Sequence, residues 1–295
     1  MNNKKEIIKR LVIFCIISFV PLIIAVSVLN GIYGEKIFAS ENAAAAVYCL
    51  GVFGMFAPTV GNILTRLITK EGFKDTYLGL NFKGNGKYYA ASVLVKLAEI
   101  FGGMIIIYFV FLNSMSFGEV FPSDGAYTKF SLLLIQVAAS IIVFFPAFGE
   151  EWGWRGYMMP KLIQLIGKPA AVIVGGIIWG LWHAPLTVSG HNFGIDYPGF
   201  PWLGIALMCV FCIAMNAFLT LLTERTKSIY PAAFCHMVNN NCGTLIMFSV
   251  FGSEAAVKKL SEVSQIKLFP AVMPLMLVTG IVSFILLIKK DCNLT

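Results

Sequence analysis

The chain has 295 residues, of which 58% are hydrophobic and only 13% are charged, and its mean hydropathy is +0.81. Soluble globular domains carry about 25% charged residues, so this composition excludes a soluble globular domain. The formal net charge of +7 comes from short basic loops without interleaved aromatic residues, so we expect a lipid bilayer and no nucleic acid as the partner.

Eight apolar stretches, each about long enough to cross a bilayer as a helix, follow one another along the chain. They predict an all-α polytopic membrane protein with about eight transmembrane helices, forming a single integral domain over residues 1–295. The stretches are 11–29, 43–64, 88–112, 129–160, 169–185, 202–223, 230–251 and 269–288.

The basic residues predict how the chain crosses the membrane. Fifteen of the 22 Lys and Arg residues lie in the N-terminal segment, the C-terminal segment and every second connecting loop, and five lie in the other loops. Segments rich in Lys and Arg stay in the cytoplasm. We therefore expect a multi-pass protein of the cell membrane with both termini cytoplasmic.

The third apolar stretch contains two charged residues, Lys96 and Glu99. Their spacing permits a mutual ion pair, and their position near the predicted cytoplasmic third allows both side chains to reach the interface. We do not expect either residue to be catalytic.

The fourth stretch carries Glu150, Glu151 and Arg155 in apolar surroundings. Ionisable side chains at membrane depth are costly and usually mark functional sites. Glu151 and Arg155 are four residues apart and lie on one helix face, where they can form an ion pair. Glu150 points to a different face without that partner, so it is available for catalysis. The alternative is that all three lie among lipid headgroups and only end a span.

Two of the three histidines lie in later spans. His183 is in the fifth, and His236 is in the seventh with Asn240 one helical turn further on; His191 reads as a surface residue of a loop. At 1.5 Å per residue, Glu150 and His236 lie about 12 Å, and His183 about 20 Å, from the cytoplasmic helix ends. We therefore expect an intramembrane catalytic cavity that opens to the cytoplasm.

These side chains can hydrolyse an acyl bond in two ways. A carboxylate such as Glu150 can act as a general base toward water, while His183 shares that water and His236 and Asn240 donate hydrogen bonds to the oxyanion. Alternatively, Glu150, His183 and His236 can hold a divalent metal such as zinc. The residues alone leave both possibilities open.

Three motifs within residues 150–240 resemble the signature motifs of the CPBP family of intramembrane proteases, which includes the CAAX prenyl endoproteases and bacterial Abi-type proteins. They are Glu150-Glu151-x-x-x-Arg155, Trp179-x-x-x-His183 and His236-x-x-x-Asn240. The family most often has Phe at the position of Trp179, and we expect little consequence because an aromatic ring is kept.

The resemblance implies an intramembrane endopeptidase in which Glu150 activates water with His183, and His236 and Asn240 stabilise the oxyanion. Glu151, Arg155 and Trp179 are then supporting residues. It also implies a peptide or lipidated protein as substrate, with a role in CAAX-type or other peptide processing, or in bacteriocin immunity. The family has been described as metal-dependent and as glutamate-dependent, and this sequence does not decide between the two.

Two other classes of function remain open. A non-catalytic membrane protein could bind a peptide or confer immunity without turnover, and Glu150 would then be dispensable. A proton-coupled transporter could use Glu150 and the histidines as a proton relay, but the sequence lacks the repeated pair of interrupted spans that many transporters show.

Overall fold

The computed structural model describes residues 2–34 and 37–292, and over these residues the chain is helical and contains no β-strand. The predicted all-α fold is confirmed. Two single 3₁₀ turns, Ile37–Ala39 and Glu41–Ala43, precede α2, and a π-helical turn, Trp154–Met158, joins α7 to α8. The helices are α1 (Asn2–Tyr33), α2 (Ala44–Gly54), α3 (Ala57–Ile68), α4 (Gly86–Phe111), α5 (Phe117–Val120), α6 (Ala126–Ala139), α7 (Ile141–Gly153), α8 (Met159–Ile166), α9 (Lys168–Trp182), α10 (Ala184–Val188), α11 (Trp202–Thr226), α12 (Tyr230–Asn241), α13 (Thr244–Phe251), α14 (Glu254–Ser261) and α15 (Gln265–Cys292).

Within the described residues, five helical segments are long and apolar enough to cross a membrane, or six if one bent pair counts as a single span. The five are Asn3–Tyr33, Glu41–Ile68, Gly86–Phe111, Trp202–Thr226 and Gln265–Lys289, and the pair is Tyr127–Ala139 with Ile141–Ile166, bent by 43°. These segments make the protein an all-α polytopic membrane protein.

The other two predicted spans differ from continuous transmembrane helices. The helix α9 has only 15 residues, because it begins beside Pro169 and ends at Trp182, before Pro185. The stretch 230–251 is divided into α12 and α13 at Cys242 and Gly243, directly after a run of three asparagines. Short and broken helices are tolerated at membrane depth where they are buried in protein or line a cavity.

One end of the helix bundle carries the basic loops, and we call it the basic end: residues 4–10, 66–87, 161–168 and 224–230. Glu71 connects its segments, because its Oε1 forms ion pairs with Lys161 Nζ at 2.6 Å and with Arg10 Nη1 at 3.6 Å. The backbone N–H of Ile229 donates to the carbonyl of Tyr77 at 3.0 Å. These contacts place the N-terminal segment and three connecting loops at one end of the molecule.

The other connections meet at the opposite end, which we call the open end: residues 30–34, 37–43, 112–125, 186–201 and 242–266. Asn30 Nδ2 donates to Ser189 Oγ at 2.9 Å, and the rings of Phe38 and His191 lie 4.8 Å apart. The N–H of Ser253 donates to the carbonyl of Val120 at 2.9 Å. The first loop, the loop after α10 and the segment after α13 therefore lie far from the basic loops.

The helices α9 and α11 pack closely because small residues separate them. A Cβ on Gly176 would lie 2.4 Å from Cα of Ile213, and one on Gly180 would lie 2.6 Å from Cα of Cys209. Small residues let helix backbones approach in membranes. This packing fixes the end of α9, where His183 is located.

Candidate active site

The helix that carries the paired glutamates packs directly on α3. A Cβ on Gly153 would lie 2.3 Å from Cβ of Pro58, so only glycine fits there. Asn62 Nδ2 donates to the carbonyl of Trp152 at 3.0 Å, where the helix changes into the π turn Trp154–Met158. Such π turns occur frequently at functional sites, and this one sets the directions in which the side chains around Glu150 and Glu151 point.

Glu150 is buried and is held by two tryptophans. Its Oε2 accepts hydrogen bonds from Trp179 Nε1 at 2.9 Å and from Trp154 Nε1 at 3.2 Å. Trp154 lies one turn further along the same chain segment, and Trp179 comes from α9. Both donors bind the same oxygen, so Oε1 is the oxygen available for other chemistry.

Glu151 makes a different set of contacts and is completely buried. Its Oε1 accepts from Arg155 Nη1 at 3.0 Å and lies 2.8 Å from His236 Nδ1. The predicted pair of Glu151 with Arg155 is present, and His236 extends it. The Arg155 guanidinium also lies over the ring of Trp179, 4.1 Å from its centroid, within the range of a cation–π interaction.

His183 follows the last residue of α9, and its Nδ1 lies 2.9 Å from the carbonyl oxygen of Trp179. A carbonyl oxygen only accepts hydrogen bonds, so Nδ1 carries the proton and Nε2 of the neutral ring is an acceptor. The ring of Trp182 meets the His183 ring edge-on at 4.9 Å. The orientation of the imidazole is therefore fixed by the helix that ends at it.

The three consecutive asparagines of α12 have different environments. Asn241 binds α6, because its Nδ2 donates to the carbonyl of Gln136 at 3.0 Å and its own carbonyl accepts from Gln136 Nε2 at 2.6 Å. Asn239 Nδ2 donates to Asn240 Oδ1 at 3.1 Å. Since Oδ1 of Asn240 is engaged, its Nδ2 is the group that can donate to another molecule.

A cavity of about 570 Å³ joins these residues. The structure places all four predicted catalytic side chains in its wall: Glu150, His183, His236 and Asn240. Trp179 lines it as well, whereas Glu151 and Arg155 lie behind it. The predicted cavity is thus present, and α7, the C-terminal end of α9 and α12 supply these polar groups.

The cavity opens at the open end of the bundle. Phe38, His191, Asn192 and Gln265 line it there, and Asn192 and Gln265 are also exposed on the surface. The interpretation of His191 as a simple surface residue is wrong, because His191 lines the cavity. The helical segment with Glu150 continues to Ile166, so Glu150 lies further from the basic end than expected.

Comparison with known proteins addresses the segment that contains the site. Residues 131–242 match the family model described as type II CAAX prenyl endopeptidase Rce1-like. This segment is similar to that family, and we call it the Rce1-like segment. CAAX prenyl protease 2 of Methanococcus maripaludis is 27% identical to the chain over 137 residues, which are 46% of this chain and 50% of that protein.

The chain therefore spans about half the length of the curated relative that it matches. Both findings confirm the predicted resemblance to the CPBP family. The Rce1-like segment runs from α6 to the end of α12, and so it includes all four predicted catalytic residues with Glu151, Arg155 and Trp179.

Two charged residues outside the Rce1-like segment also line the cavity. Lys96 Nζ lies 2.5 Å from Glu99 Oε2, and both side chains are buried. Both residues are on α4, and they line the cavity beside Glu150. The predicted ion pair is confirmed, but the expectation that these side chains reach the membrane interface is wrong, because the pair is enclosed between helices.

The proposed zinc set of Glu150, His183 and His236 is not assembled. Across residues 2–34 and 37–292, no group of three His, Cys, Asp or Glu side chains is placed to hold a metal ion. The residues present do not fit a metal centre.

Sequence reasoning missed the hydrogen-bonding roles of Trp154 and Trp179. Trp154 lies four residues after Glu150, a spacing that places both on one helix face, so the pattern contained a signal for it. The role of Trp179 had no such signal, because its hydrogen bond to Glu150 joins two helices and the two residues are 29 positions apart in the sequence. Trp179 makes a hydrogen bond to Glu150 that a Phe at this position could not make, since Phe has no N–H.

Proposed function

We propose that this protein is an intramembrane endopeptidase that hydrolyses a peptide bond by water attack. The observation that carries the proposal is the set of polar groups in the cavity wall. Glu150 is buried there with only Oε2 hydrogen-bonded to the protein, and His183 and His236 each contact a protein acceptor through Nδ1, which leaves Nε2 for the substrate or water. The Rce1-like match over this same segment supports the same reaction class.

In this proposal Glu150 is the general base. Its Oε1 takes a proton from a water molecule, while the indoles of Trp154 and Trp179 hold Oε2 and keep the carboxylate oriented. His183 accepts the other water proton in a hydrogen bond through Nε2, which directs the water oxygen toward the substrate carbonyl. Proton transfer by a positioned group contributes about 10²–10⁴-fold to a rate.

His236 and Asn240 stabilise the oxyanion that forms on the carbonyl. Asn240 donates through Nδ2, and His236 donates through Nε2 as an imidazolium. The contact of His236 Nδ1 with the Glu151 carboxylate stabilises that charged ring, and Arg155 prevents Glu151 from withdrawing the proton. Donors held in place before the reaction are among the largest contributions to catalysis.

Collapse of the tetrahedral intermediate completes the reaction. The carbon–nitrogen bond breaks, the amine nitrogen takes the proton held by Glu150, and the new carboxyl group leaves with the oxygen of water. No group on the protein is changed at the end. Each step uses one of the four side chains in the cavity wall.

We further propose that residues 1–295 act as one integral membrane domain with both termini in the cytoplasm. The substrate is a peptide or a lipidated protein. Processing of CAAX-type peptides is suggested by the name of the Methanococcus maripaludis relative, and peptide processing in bacteriocin immunity is the other role that this chemistry allows.

The experiment is cleavage of a peptide library by the purified full-length protein in detergent, comparing wild type with Glu150→Gln. We expect kcat to fall about 10²–10⁴-fold, as for loss of a general base. Glu99→Gln is the matched control, since it alters a second buried glutamate in the same cavity, and it should keep kcat within a few-fold when folded protein is compared. Thermal unfolding of each variant identifies the folded fraction.

Three results would contradict the proposal. Equal cleavage by wild type and Glu150→Gln would favour a binding or immunity protein without turnover. Proton-coupled flux in vesicles, lost in Glu150→Gln, would favour a transporter. Loss of wild-type cleavage on treatment with a chelator, restored by zinc, would replace the carboxylate mechanism with a metal-dependent one.

A further inference from the structure

We propose that the basic end binds the phosphate-bearing headgroup of an anionic membrane lipid through Arg10, Arg66 and Lys161. The proposal is independent of the proposed function, because it uses none of the residues that line the cavity. It rests on three cations that converge on one carboxylate and leave positive charge uncompensated at the membrane boundary.

The three cations come from helices that are distant in sequence. Arg10 is on α1, Arg66 is in the last turn of α3, and Lys161 is on α8. Lys161 Nζ lies 2.6 Å from Glu71 Oε1, and Arg10 Nη1 lies 3.6 Å from the same oxygen. Arg66 is close enough to interact electrostatically with Glu71 and with Arg10. Three positive charges therefore share one negative charge.

Two of these cations are buried, so water does not compensate their charge freely. Arg66 is 3% exposed and Lys161 is 8% exposed, and buried charges require a charged or hydrogen-bonding partner. The Nε of Arg66 donates to Asn62 Oδ1 at 2.7 Å, and its Nη1 donates to the carbonyls of Gly72 and Lys74 at 2.9 and 3.1 Å. These acceptors are neutral, so they orient the guanidinium without neutralising it.

The other acidic residues nearby do not remove the excess charge. Glu6 lies 3.4 Å from Arg10 Nε but also 3.8 Å from Lys9 Nζ, so it balances an additional cation. Asp75 interacts electrostatically with the cluster, but it is exposed and follows the exposed Lys74. Each of these carboxylates comes with a further lysine, and the excess of positive charge remains.

Arg10 and Lys161 have donors left for an anion. The Nε of Arg10 is buried and has no hydrogen-bond partner within residues 2–34 and 37–292. An ammonium has three donors, and the hydrogen bond to Glu71 uses one donor of Lys161. The side chains of Arg10 and Lys161 are 23% and 10% exposed, so an anion at the surface can reach them. Guanidinium and ammonium groups side by side suit the oxygens of a phosphate group.

The position of the cluster favours a lipid as the source of the phosphate. Arg66 is two residues from the end of the segment Glu41–Ile68, and Lys161 is five from the end of Ile141–Ile166. At 1.5 Å per residue, they lie about 3 and 8 Å from these helix ends, at the level of the polar region of a bilayer. Basic pockets between membrane helices are typical headgroup sites. Four apolar residues that flank Arg10 and Arg66 in sequence are exposed, as expected beside acyl chains: Ile8, Val12, Leu67 and Ile68.

The test is native mass spectrometry of the purified full-length protein in detergent, titrated with dioleoyl phosphatidylglycerol. We expect Arg10→Gln and Lys161→Gln each to weaken binding of this lipid about fivefold. Lys9→Gln is the matched control, since it removes the same charge from an exposed lysine on the same helix. It should change the affinity by less than about twofold, because exposed charges are screened. Equal weakening by all three variants would mean general attraction to a basic surface and would overturn the site.

Glu71→Gln separates loss of the site from loss of the fold. It removes the carboxylate that competes with the lipid for Arg10 and Lys161, so we expect the folded variant to bind dioleoyl phosphatidylglycerol about fivefold more tightly than wild type. Thermal unfolding gives the folded fraction. Affinity of the folded variant equal to or below that of wild type would overturn the proposal.

Thermal unfolding of wild type also identifies the source of the phosphate. We expect dioleoyl phosphatidylglycerol at about a hundredfold excess over Kd to raise Tm by about 5 °C or more. Dioleoyl phosphatidylcholine should give no comparable rise, and neither should inorganic phosphate compared with chloride at equal ionic strength. An equal rise with inorganic phosphate at the same concentration would overturn the lipid assignment. An equal rise with phosphatidylcholine would show that negative charge is not recognised, which also contradicts the proposal.

Discussion

The cluster around Glu151 and the cluster around Glu71 are built from similar groups, but they occupy different places in the bundle. Glu151 contacts Arg155 and His236 and is 0% exposed, beside the cavity. Glu71 contacts Arg10 and Lys161 at the basic end, and its side chain is 17% exposed. Each carboxylate holds together segments distant in sequence.

The difference in burial changes how much each ion pair contributes to stability. Breaking a fully buried ion pair leaves an uncompensated charge in a low-dielectric interior and is strongly destabilising, and through His236 the Glu151 cluster also reaches the proposed chemistry. The Glu71 cluster is partly solvated, where ion pairs contribute little. We therefore expect the first cluster to affect both stability and activity, and the second to affect stability alone.

The largest effect is expected for Glu151→Gln. It leaves Arg155 buried without its carboxylate partner, so we expect a loss of about 3–5 kcal/mol in the free energy of unfolding. Activity of the remaining folded protein should fall as well, because His236 loses the carboxylate that stabilises its charged form. Thermal unfolding in detergent and kcat on the peptide library measure the two effects.

The double variant Glu151→Gln with Arg155→Gln is the control for this prediction. It removes both charges, so we expect it to be more stable than Glu151→Gln alone while kcat stays low. Recovery of kcat in the double variant would show that Glu151 acts only through the stability of the fold.

A smaller effect is expected for Trp179→Phe, which keeps the ring and removes the N–H that binds Glu150. Hydrogen bonds to charged groups contribute about 1.5–3 kcal/mol, which corresponds to roughly ten- to a hundredfold in rate. We expect this loss in kcat with little change in KM. Trp154 still donates a hydrogen bond to Glu150 Oε2 in this variant, so we expect a loss of kcat nearer tenfold than a hundredfold.

Trp182→Phe is the matched control, since the residue is on the same helix and lines the same cavity. Its Nε1 donates to the carbonyl of Ser18 at 2.9 Å and not to Glu150. We expect it to lower the unfolding temperature while kcat remains within about threefold. Equal losses of kcat in Trp179→Phe and Trp182→Phe would contradict the assignment of Trp179 to the positioning of Glu150.

The smallest effect is expected at the basic end, for Glu71→Gln. Burial raises the pKa of Glu71, but the hydrogen bond and charge of Lys161, with the charge of Arg10 and the hydroxyl of Tyr157, lower it by more, so the pKa lies below its ordinary value of 4.5. A carboxylate with a lowered pKa in the folded state stabilises the fold above the unfolded pKa. This contribution is lost as the pH falls through the folded pKa.

We therefore expect wild type to exceed Glu71→Gln by about 1 kcal/mol in the free energy of unfolding near pH 7. The difference should shrink as the pH is lowered below 4.5, and kcat at neutral pH should be unchanged. A stability difference that is constant from pH 7 to pH 3 would contradict this account, as would a large loss of activity.

Much of the architecture followed from sequence because membrane insertion depends on local properties. Apolar length and the distribution of Lys and Arg predicted an all-α polytopic protein, and the spacing of four residues predicted the pair of Glu151 with Arg155. The intramembrane position of Glu150, His183 and His236 indicated the site, because ionisable groups at that depth are costly. These signals are contained within single helices.

The tertiary structure alone determined how these helices meet. Three features depend on contacts between helices that no sequence period relates. Trp179 donates a hydrogen bond to Glu150, His236 contacts Glu151, and α4 places Lys96 and Glu99 in the cavity wall. The packing of Trp154 and Tyr157 against Phe14 of α1 is a further contact between distant helices that the sequence did not predict. Sequence fixes which groups enter the membrane, whereas contacts between distant helices determine which of them share a cavity.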